Sequence, residues 1–158
     1  MSDAPLERPT TYTDKMNRAA AEKMADQLIS QNGFSKNRES IVIDLLKSIY
    51  HWHDGYNLAK DLESYSYWDV DAEVVATLSD MYGLRLEEKE RCEKEWVKQT
   101  NPQPTFSVGD EVSFQSAIDG LVTGPIHSIY EDLARYVVDV KRTGTGGILV
   151  PYENVRAA

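Results

Sequence analysis

The residues of this chain whose types best suit metal binding are His51, His53 and Asp54, which stand close together in the sequence. On a helix, residues i and i+2 point about 200° apart, so the two imidazoles would diverge. Two histidines that bind one metal from a single helix stand one helical turn apart, and His127 is far along the chain. We therefore expect no metal site, and we expect His53 to be partly buried in the core.

Two other features of the sequence contain residue types that occur in catalytic sites. The single cysteine, Cys92, is surrounded in sequence by glutamates, a field in which a reactive thiolate is disfavoured. The glycine-rich run 144–147 is predicted to link two short strands, and because it opens no helix it lacks the amide cluster that cradles a phosphate. We expect no catalytic residue and no cofactor, and a small metal-dependent enzyme is the least favoured function.

The charge of the chain bears on its partners. Lysine and arginine number 17 against 26 aspartates and glutamates, which gives a net charge of −9. A phosphate backbone would be repelled over most of such a surface, so direct nucleic-acid binding is disfavoured and a protein with a basic surface is the favoured partner. No apolar run approaches the roughly 20 residues that cross a bilayer, and no signal peptide is evident. We expect a soluble, cytoplasmic protein with no membrane contact.

The segment from Asp61 to Leu84 is the strongest candidate for binding that partner, because it holds six acids and no lysine or arginine, with aromatic residues in its middle. Tyrosine and tryptophan are enriched among interface hot spots, and acids around them steer a basic surface inward. The predicted partner-binding residues are Asp61, Glu63, Tyr65, Tyr67, Trp68, Asp69, Asp71, Glu73 and Asp80. In the alternative interpretation, the aromatic residues fill the gap between two helices and only the acids face solvent.

Helices must position this segment. Apolar residues at helical spacing predict a first helix over residues 14–31, ended by Gly33, and a second, longer helix over residues 37–62. Gly55 lies inside the second helix, where it predicts a bend or the close approach of another chain. A homodimer through this second helix is therefore one hypothesis.

Asp71 is predicted to cap a third helix. Gly83 is predicted to end or kink that helix, and a charged fourth helix follows over residues 84–99. Pro102 and Pro104 then break the helical pattern. The predicted division is a flexible arm at residues 1–11, a helical domain at 12–100, a proline-containing linker at 101–105 and a β-barrel at 106–158.

After the prolines, β-branched residues alternate with polar ones, which predicts strands. The predicted strands are Glu111–Phe114, Leu121–Tyr130, Arg135–Val140, Gly147–Val150 and one around Val155. The fold class is therefore α+β, with three to four helices followed by five short strands that would form a small barrel.

Four motifs in this part of the chain occur in the order found in SH3-like barrels: Phe106–Val112, Gly120–Ile126, Tyr136–Val140 and Ile148–Val155. The segment 105–156 thus resembles the KOW-type members of that group. The resemblance implies a five-stranded barrel with a short 3₁₀ turn before its last strand. Such modules often contact RNA or a polymerase, which makes Arg135, Lys141 and Arg142 the alternative nucleic-acid contact, although acids outnumber bases in this segment.

The leading hypothesis is a non-enzymatic protein that binds another protein. In a sharper form, its carboxylates imitate the phosphates of a nucleic acid and occupy the basic surface of a nucleic-acid-binding complex, as inhibitors of the anti-CRISPR and anti-restriction type do. That form is an analogy from size and charge. The runner-up is an RNA- or polymerase-associated regulator that uses the barrel.

Overall fold

The structure, a computed structural model, describes residues 6–140 and 147–158. Helices come first and strands second, so the chain has the predicted α+β layout. It divides into two compact units, each described separately below. The helical unit is Pro9–Cys92, and the strand unit consists of Glu93–Ala158 and the N-terminal segment that ends at Arg8.

The helices are α1 Asp14–Asn32, α2 Arg38–Lys47, α3 Gly55–Ser66, α4 Ala72–Leu78 and α5 Met81–Thr100, with a 3₁₀ turn at Ile49–His51. The first helix begins and ends as predicted. Thr13 accepts a hydrogen bond from the Met16 amide at its start, and Gly33 follows its last residue with φ of 65°, the left-handed conformation that glycine adopts without strain.

The prediction of one long helix over residues 37–62 is wrong, because the helix is interrupted between α2 and α3. Asp54 caps α3 by accepting from the Tyr56 and Asn57 amides, so a new helix begins there. Trp52 lies in the break with 1% of its surface exposed. Its indole Nε1 donates to the Leu45 carbonyl at 2.9 Å. Trp52 thus belongs to the core of the helical unit.

Gly55 is the first residue of α3, where it permits a close approach inside the helical unit. A Cβ atom built on it would lie 2.8 Å from the Cα of Ser79, closer than side chains tolerate. Gly83, in contrast, does not end a helix, because it lies within α5. A Cβ atom built on Gly83 would meet nothing within 4 Å. The predicted third helix ends earlier than expected, at Leu78.

The core of the helical unit is apolar and joins every helix of that unit. Its largest fully buried side chains are Trp52, Met24, Leu28, Ile41, Leu45, Leu58, Leu62, Leu78, Met81 and Val42. Burial of such side chains stabilises a fold by about 1.5–3 kcal/mol each relative to exposure. The segment from Asp61 to Leu84 is held to this core by its own buried side chains, among them Leu62, Trp68 and Leu78.

The strands are β1 Glu111–Ser116, β2 Gly120–Tyr130, β3 Arg135–Asp139, β4 Gly147–Pro151 and β5 Val155–Ala157, which confirms the predicted positions. They form one antiparallel sheet in the order β4-β3-β2-β1-β5, with a 3₁₀ turn at Tyr152–Asn154 before the last strand. Within the described residues β4 and β5 are the edges, and the sheet is not closed. The structure thus shows a five-stranded sheet compatible with a small barrel-like domain.

The second strand is shared by both halves of the sheet. Its first half pairs with β1 through Pro125, and its second half pairs with β3 from Ile126, where the register shifts. A Cβ atom on Gly124 would collide with the Asp139 carbonyl oxygen of β3. Gly124 thus permits a close approach of the β2 and β3 backbones.

A buried ionic cluster holds the segment before α1 within the strand unit. The Arg8 guanidinium is almost fully buried, donates to Glu153 at 2.6 Å and to the Ala134 carbonyl at 2.9 Å, and lies 3.4 Å from Glu93. Arg135 donates to the same Glu93 carboxylate at 2.8 Å. Because buried charges require such partners, these side chains are committed to the fold.

Candidate functional site

The three aromatic residues predicted at the partner surface divide into one core ring and two surface rings. Trp68 is 4% exposed, whereas Tyr65 and Tyr67 are 79% and 89% exposed. The core interpretation therefore holds for Trp68, and partner binding by Tyr65 and Tyr67 stays a prediction. Trp68 fills the core, and the tyrosine rings stand in solvent where a partner can reach them.

Trp68 fixes two loops to α2. Its ring packs edge-on against Phe34 with the ring centroids 5.0 Å apart, and its indole Nε1 donates to Asp44 at 2.9 Å. Lys36 donates to the same carboxylate at 2.7 Å and lies 5.5 Å from the centroid of the Trp68 ring. The loop after α1 and the loop after α3 are thus held to one aspartate of α2.

This arrangement lowers the pKa of the Asp44 carboxyl group. Burial raises its pKa, but hydrogen bonds from Lys36 and from the Trp68 indole lower it by more, so the pKa lies below its ordinary value. Asp44 therefore remains ionised at neutral pH and keeps both loops in place.

Tyr67 ends α3 in the left-handed conformation, with φ of 57° and ψ of 37°. Its amide donates to the Leu62 carbonyl, just as the Gly33 amide at the end of α1 donates to Leu28. A non-glycine residue in this conformation costs about 1–2 kcal/mol. Burial of the Tyr67 side chain does not offset this cost, because its ring is 89% exposed.

A depression of about 420 Å³ lies between these two loops. We call it the Tyr67 pocket. It is lined by Asn32, Gly33, Phe34, Ser35, Lys36, Tyr67, Trp68, Asp69, Asp71 and Val74. The C-terminal ends of α1 and α3 both reach it, and neither helix has a basic residue in its last turn. Helix C-termini carry partial negative charge, so this end of the unit favours cations.

The predicted acidic residues occupy different places. Asp69 and Asp71 line the Tyr67 pocket, and Asp71 also caps α4 by accepting from the Val74 amide at 2.9 Å. Glu63 and Asp71 line a neighbouring depression of about 300 Å³ between α3 and α4. Asp61, Tyr65, Glu73 and Asp80 line neither depression. Of these, Asp61 is half-buried and accepts a hydrogen bond from the Ser48 hydroxyl, whereas the others are exposed.

The histidines are arranged differently from the expectation. His53 is exposed, so its predicted burial in the core is wrong, because the break before α3 turns it outward while Trp52 turns in. His51 is half-buried, with Nε2 3.9 Å from Asp61 Oδ1. In the part of the chain that the structure describes, no three His, Cys, Asp or Glu side chains could together hold a metal ion.

The alternative nucleic-acid contact is only partly described. Arg135 is ion-paired with buried Glu93 and is itself mostly covered. Lys141, Arg142 and most of the glycine-rich run lie outside the described residues. In the predicted dimer region, Tyr56 is exposed with the Lys60 ammonium 4.9 Å from its ring centroid.

Residues distant in sequence complete the site, and the sequence pattern did not point to them. Phe34, Lys36 and Asp44 contribute a ring, a cation and an anion from outside the segment Asp61–Leu84. The segment lacks lysine and arginine, yet Lys36 approaches Trp68 from another loop. The only local signal was the helix stop at Asn32-Gly33, which predicted a turn after α1. It did not predict that this turn packs against the loop after α3.

Comparison of the chain with protein-family models, with curated proteins and with solved structures finds no match. Among the residues that the structure describes, no helix combines the length and the apolar character needed to cross a bilayer.

Proposed function

We propose that this chain is a cytoplasmic, non-enzymatic binding protein that presents an acidic, tyrosine-bearing surface of its helical unit to a basic surface of another protein. The observation that carries the proposal is the pair of exposed rings, Tyr65 and Tyr67, beside exposed Glu63 and Asp69. Tyrosine offers a large rigid contact area with a polar tip, and surrounding carboxylates raise the rate of association with a basic partner.

Rigidity of the surface supports this function. The Trp68–Asp44–Lys36 cluster holds the loops on both sides of the Tyr67 pocket. A surface that is ordered before binding loses less conformational entropy when the partner arrives. The exposed tyrosines therefore lie on a surface that is ordered before the partner binds.

A sharper form of the proposal is that the partner is a nucleic-acid-binding complex whose basic groove this surface blocks. It rests on the net charge of −9 and on exposed carboxylates at Glu63 of α3, Asp69 of the following loop and Glu73 of α4. In this form, the purified chain competes with DNA for the complex. Competition is lost at about 0.5 M salt, where the screening length falls to a few ångströms.

The strand unit is proposed to be an SH3-like barrel. The order β4-β3-β2-β1-β5, the long shared strand β2 with its close approach at Gly124, and the 3₁₀ turn before β5 support this assignment. The runner-up function, RNA or polymerase contact through this unit, receives no support from Arg135, because its guanidinium pairs with Glu93. An RNA mobility shift at low salt that is lost in Arg142→Glu would favour it.

The test of the leading proposal is a charge reversal confined to the surface. The site variant combines Glu63→Lys, Asp69→Lys and Glu73→Lys, all at exposed positions. Asp61 and Asp71 are left intact because their carboxylates accept hydrogen bonds within the fold. Proteins captured from an extract of the native host at low salt are quantified for the wild type and the variant.

The matched control combines Glu87→Lys, Glu111→Lys and Asp132→Lys, which changes the net charge equally at exposed positions elsewhere. We expect one set of proteins to bind the wild type and the control, to be lost with the site variant, and to elute at about 0.5 M salt. Capture that is equal for the two variants, with both folded by circular dichroism, would contradict the proposal.

A further inference from the structure

The Tyr67 side chain occupies a position that folding alone would assign to glycine. Its φ of 57° is strained for a bulky residue, and its ring is 89% exposed, so the core gains little from it. Residues held in sparsely populated backbone conformations cluster at active sites and ligand-binding sites. This ring forms one wall of the pocket between the two loops.

The chemistry of the Tyr67 pocket favours a cation. Asp69 and Asp71 contribute carboxylates, Tyr67 and Trp68 contribute aromatic rings, and the ends of α1 and α3 contribute partial negative charge. The chain already places one of its own cations at this site. Lys36 lies over the Trp68 ring and donates to Asp44 and to the Ser66 carbonyl at the end of α3.

Lys36 leaves part of the pocket open to solvent. Its ammonium is committed to Asp44 on the Trp68 side, whereas Asp69 and the Tyr67 ring remain exposed. In the described part of the chain, Asp69 has no ion-pair partner. The remaining volume is bounded by a ring and by carboxylates, the surroundings that a planar, delocalised cation prefers.

We propose that the Tyr67 pocket receives an arginine side chain of the basic partner, with the guanidinium stacked on the Tyr67 ring and paired with Asp69. The inference rests on the proposed function, because it assigns the chemistry of the same surface. Arginine is favoured over lysine because its guanidinium stacks on aromatic faces, is weakly hydrated, and matches a carboxylate with two parallel hydrogen bonds.

The test uses arginine itself as the probe. N-acetyl-arginine-N-methylamide is titrated into the full chain, and the Trp68 indole and the amides of residues 67–71 are followed by NMR. The lysine analogue and the uncharged citrulline analogue serve as comparators. We expect saturable shifts confined to the pocket, with the lysine analogue roughly two- to fivefold weaker and citrulline without effect.

Two variants and one control locate the contact. Tyr67→Gly and Asp69→Asn are each expected to weaken arginine binding roughly two- to fivefold. Tyr50→Ala removes another tyrosine, 85% exposed on the 3₁₀ turn at Ile49–His51, and is expected to leave binding unchanged. Folding of each variant is checked by the dispersion of its amide resonances.

Three results would overturn the inference: equal shifts with arginine and lysine, shifts spread over all exposed carboxylates, or retention of full binding by Tyr67→Gly. If the arginine probe fails while capture of host proteins still depends on Glu63, Asp69 and Glu73, only this inference is wrong. If capture is also insensitive to those residues, the proposed function is wrong as well.

Discussion

Replacing Tyr67 with glycine is expected to stabilise the helical unit while it removes the proposed contact. The residue follows α3 with φ of 57°, and Gly33 follows α1 with φ of 65°. The two helices therefore end in the same conformation with different residues. The Tyr67 ring is almost wholly exposed, so its removal sacrifices little apolar burial.

The expected gain follows from two opposing terms. Relief of the left-handed conformation contributes about 1–2 kcal/mol. Glycine makes the unfolded chain more flexible, which offsets about 0.4–1 kcal/mol of that relief. The free energy of unfolding should thus rise by about 0.5–1 kcal/mol, a shift of the urea midpoint by about 0.5 M for a typical domain.

The assay is equilibrium urea unfolding followed by far-ultraviolet circular dichroism and tryptophan fluorescence. Gly33→Ala is the matched control, because a Cβ atom there meets nothing within 4 Å, so the strained φ is the only change expected in the folded state. That control should lower the free energy of unfolding by about 1 kcal/mol. If Tyr67→Gly is destabilised, the ring packs on the fold, and the argument that its position serves a partner is refuted.

Three further substitutions test the packing and the charges. Gly55→Ala should destabilise the helical unit by about 1–3 kcal/mol in urea unfolding because its Cβ collides with neighbouring backbone, whereas Gly83→Ala in open space should be neutral or stabilising. Arg8→Gln should cost about 1–3 kcal/mol of stability by removing hydrogen bonds that the buried guanidinium donates to the Leu133 and Ala134 carbonyls, although Glu93 keeps Arg135 as a partner; Arg18→Gln, in an exposed pair, should leave the unfolding midpoint nearly unchanged. Asp44→Asn should be destabilising at neutral pH. Because the folded pKa of Asp44 is lowered, its contribution is present above the unfolded value of 3.8 and is lost as pH falls through the folded pKa, so the difference in midpoint should shrink as the pH is lowered below 3.8. Equal midpoint changes within either matched pair, or a pH-independent difference for Asp44→Asn, would count against the respective argument.

Local patterns in the sequence determined much of the fold. The alternation of β-branched and polar residues after Pro104 predicted the five strands found in the described part of the chain, because side chains alternate between the two faces of a sheet. Asp71 was a predicted cap because a short polar side chain can accept from the free amides of a helix start, and it accepts from the Val74 amide. The net charge, and with it the expectation of a basic partner, also came from composition alone.

Tertiary contacts decided what the local patterns left open. The pattern over residues 37–62 was compatible with one helix, but α2 ends at Lys47 and Asp54 caps a new helix, with Trp52 buried between them. Adjacent aromatic residues Tyr67 and Trp68 could not be divided by sequence, because both have similar propensities. The exposure of the two rings differs because Phe34, Lys36 and Asp44, which are distant in sequence, contact the Trp68 ring. The Tyr67 ring remains in solvent. Helical periodicity reports which face of one element is apolar, but which residue of a loop is buried depends on the elements that fold around it.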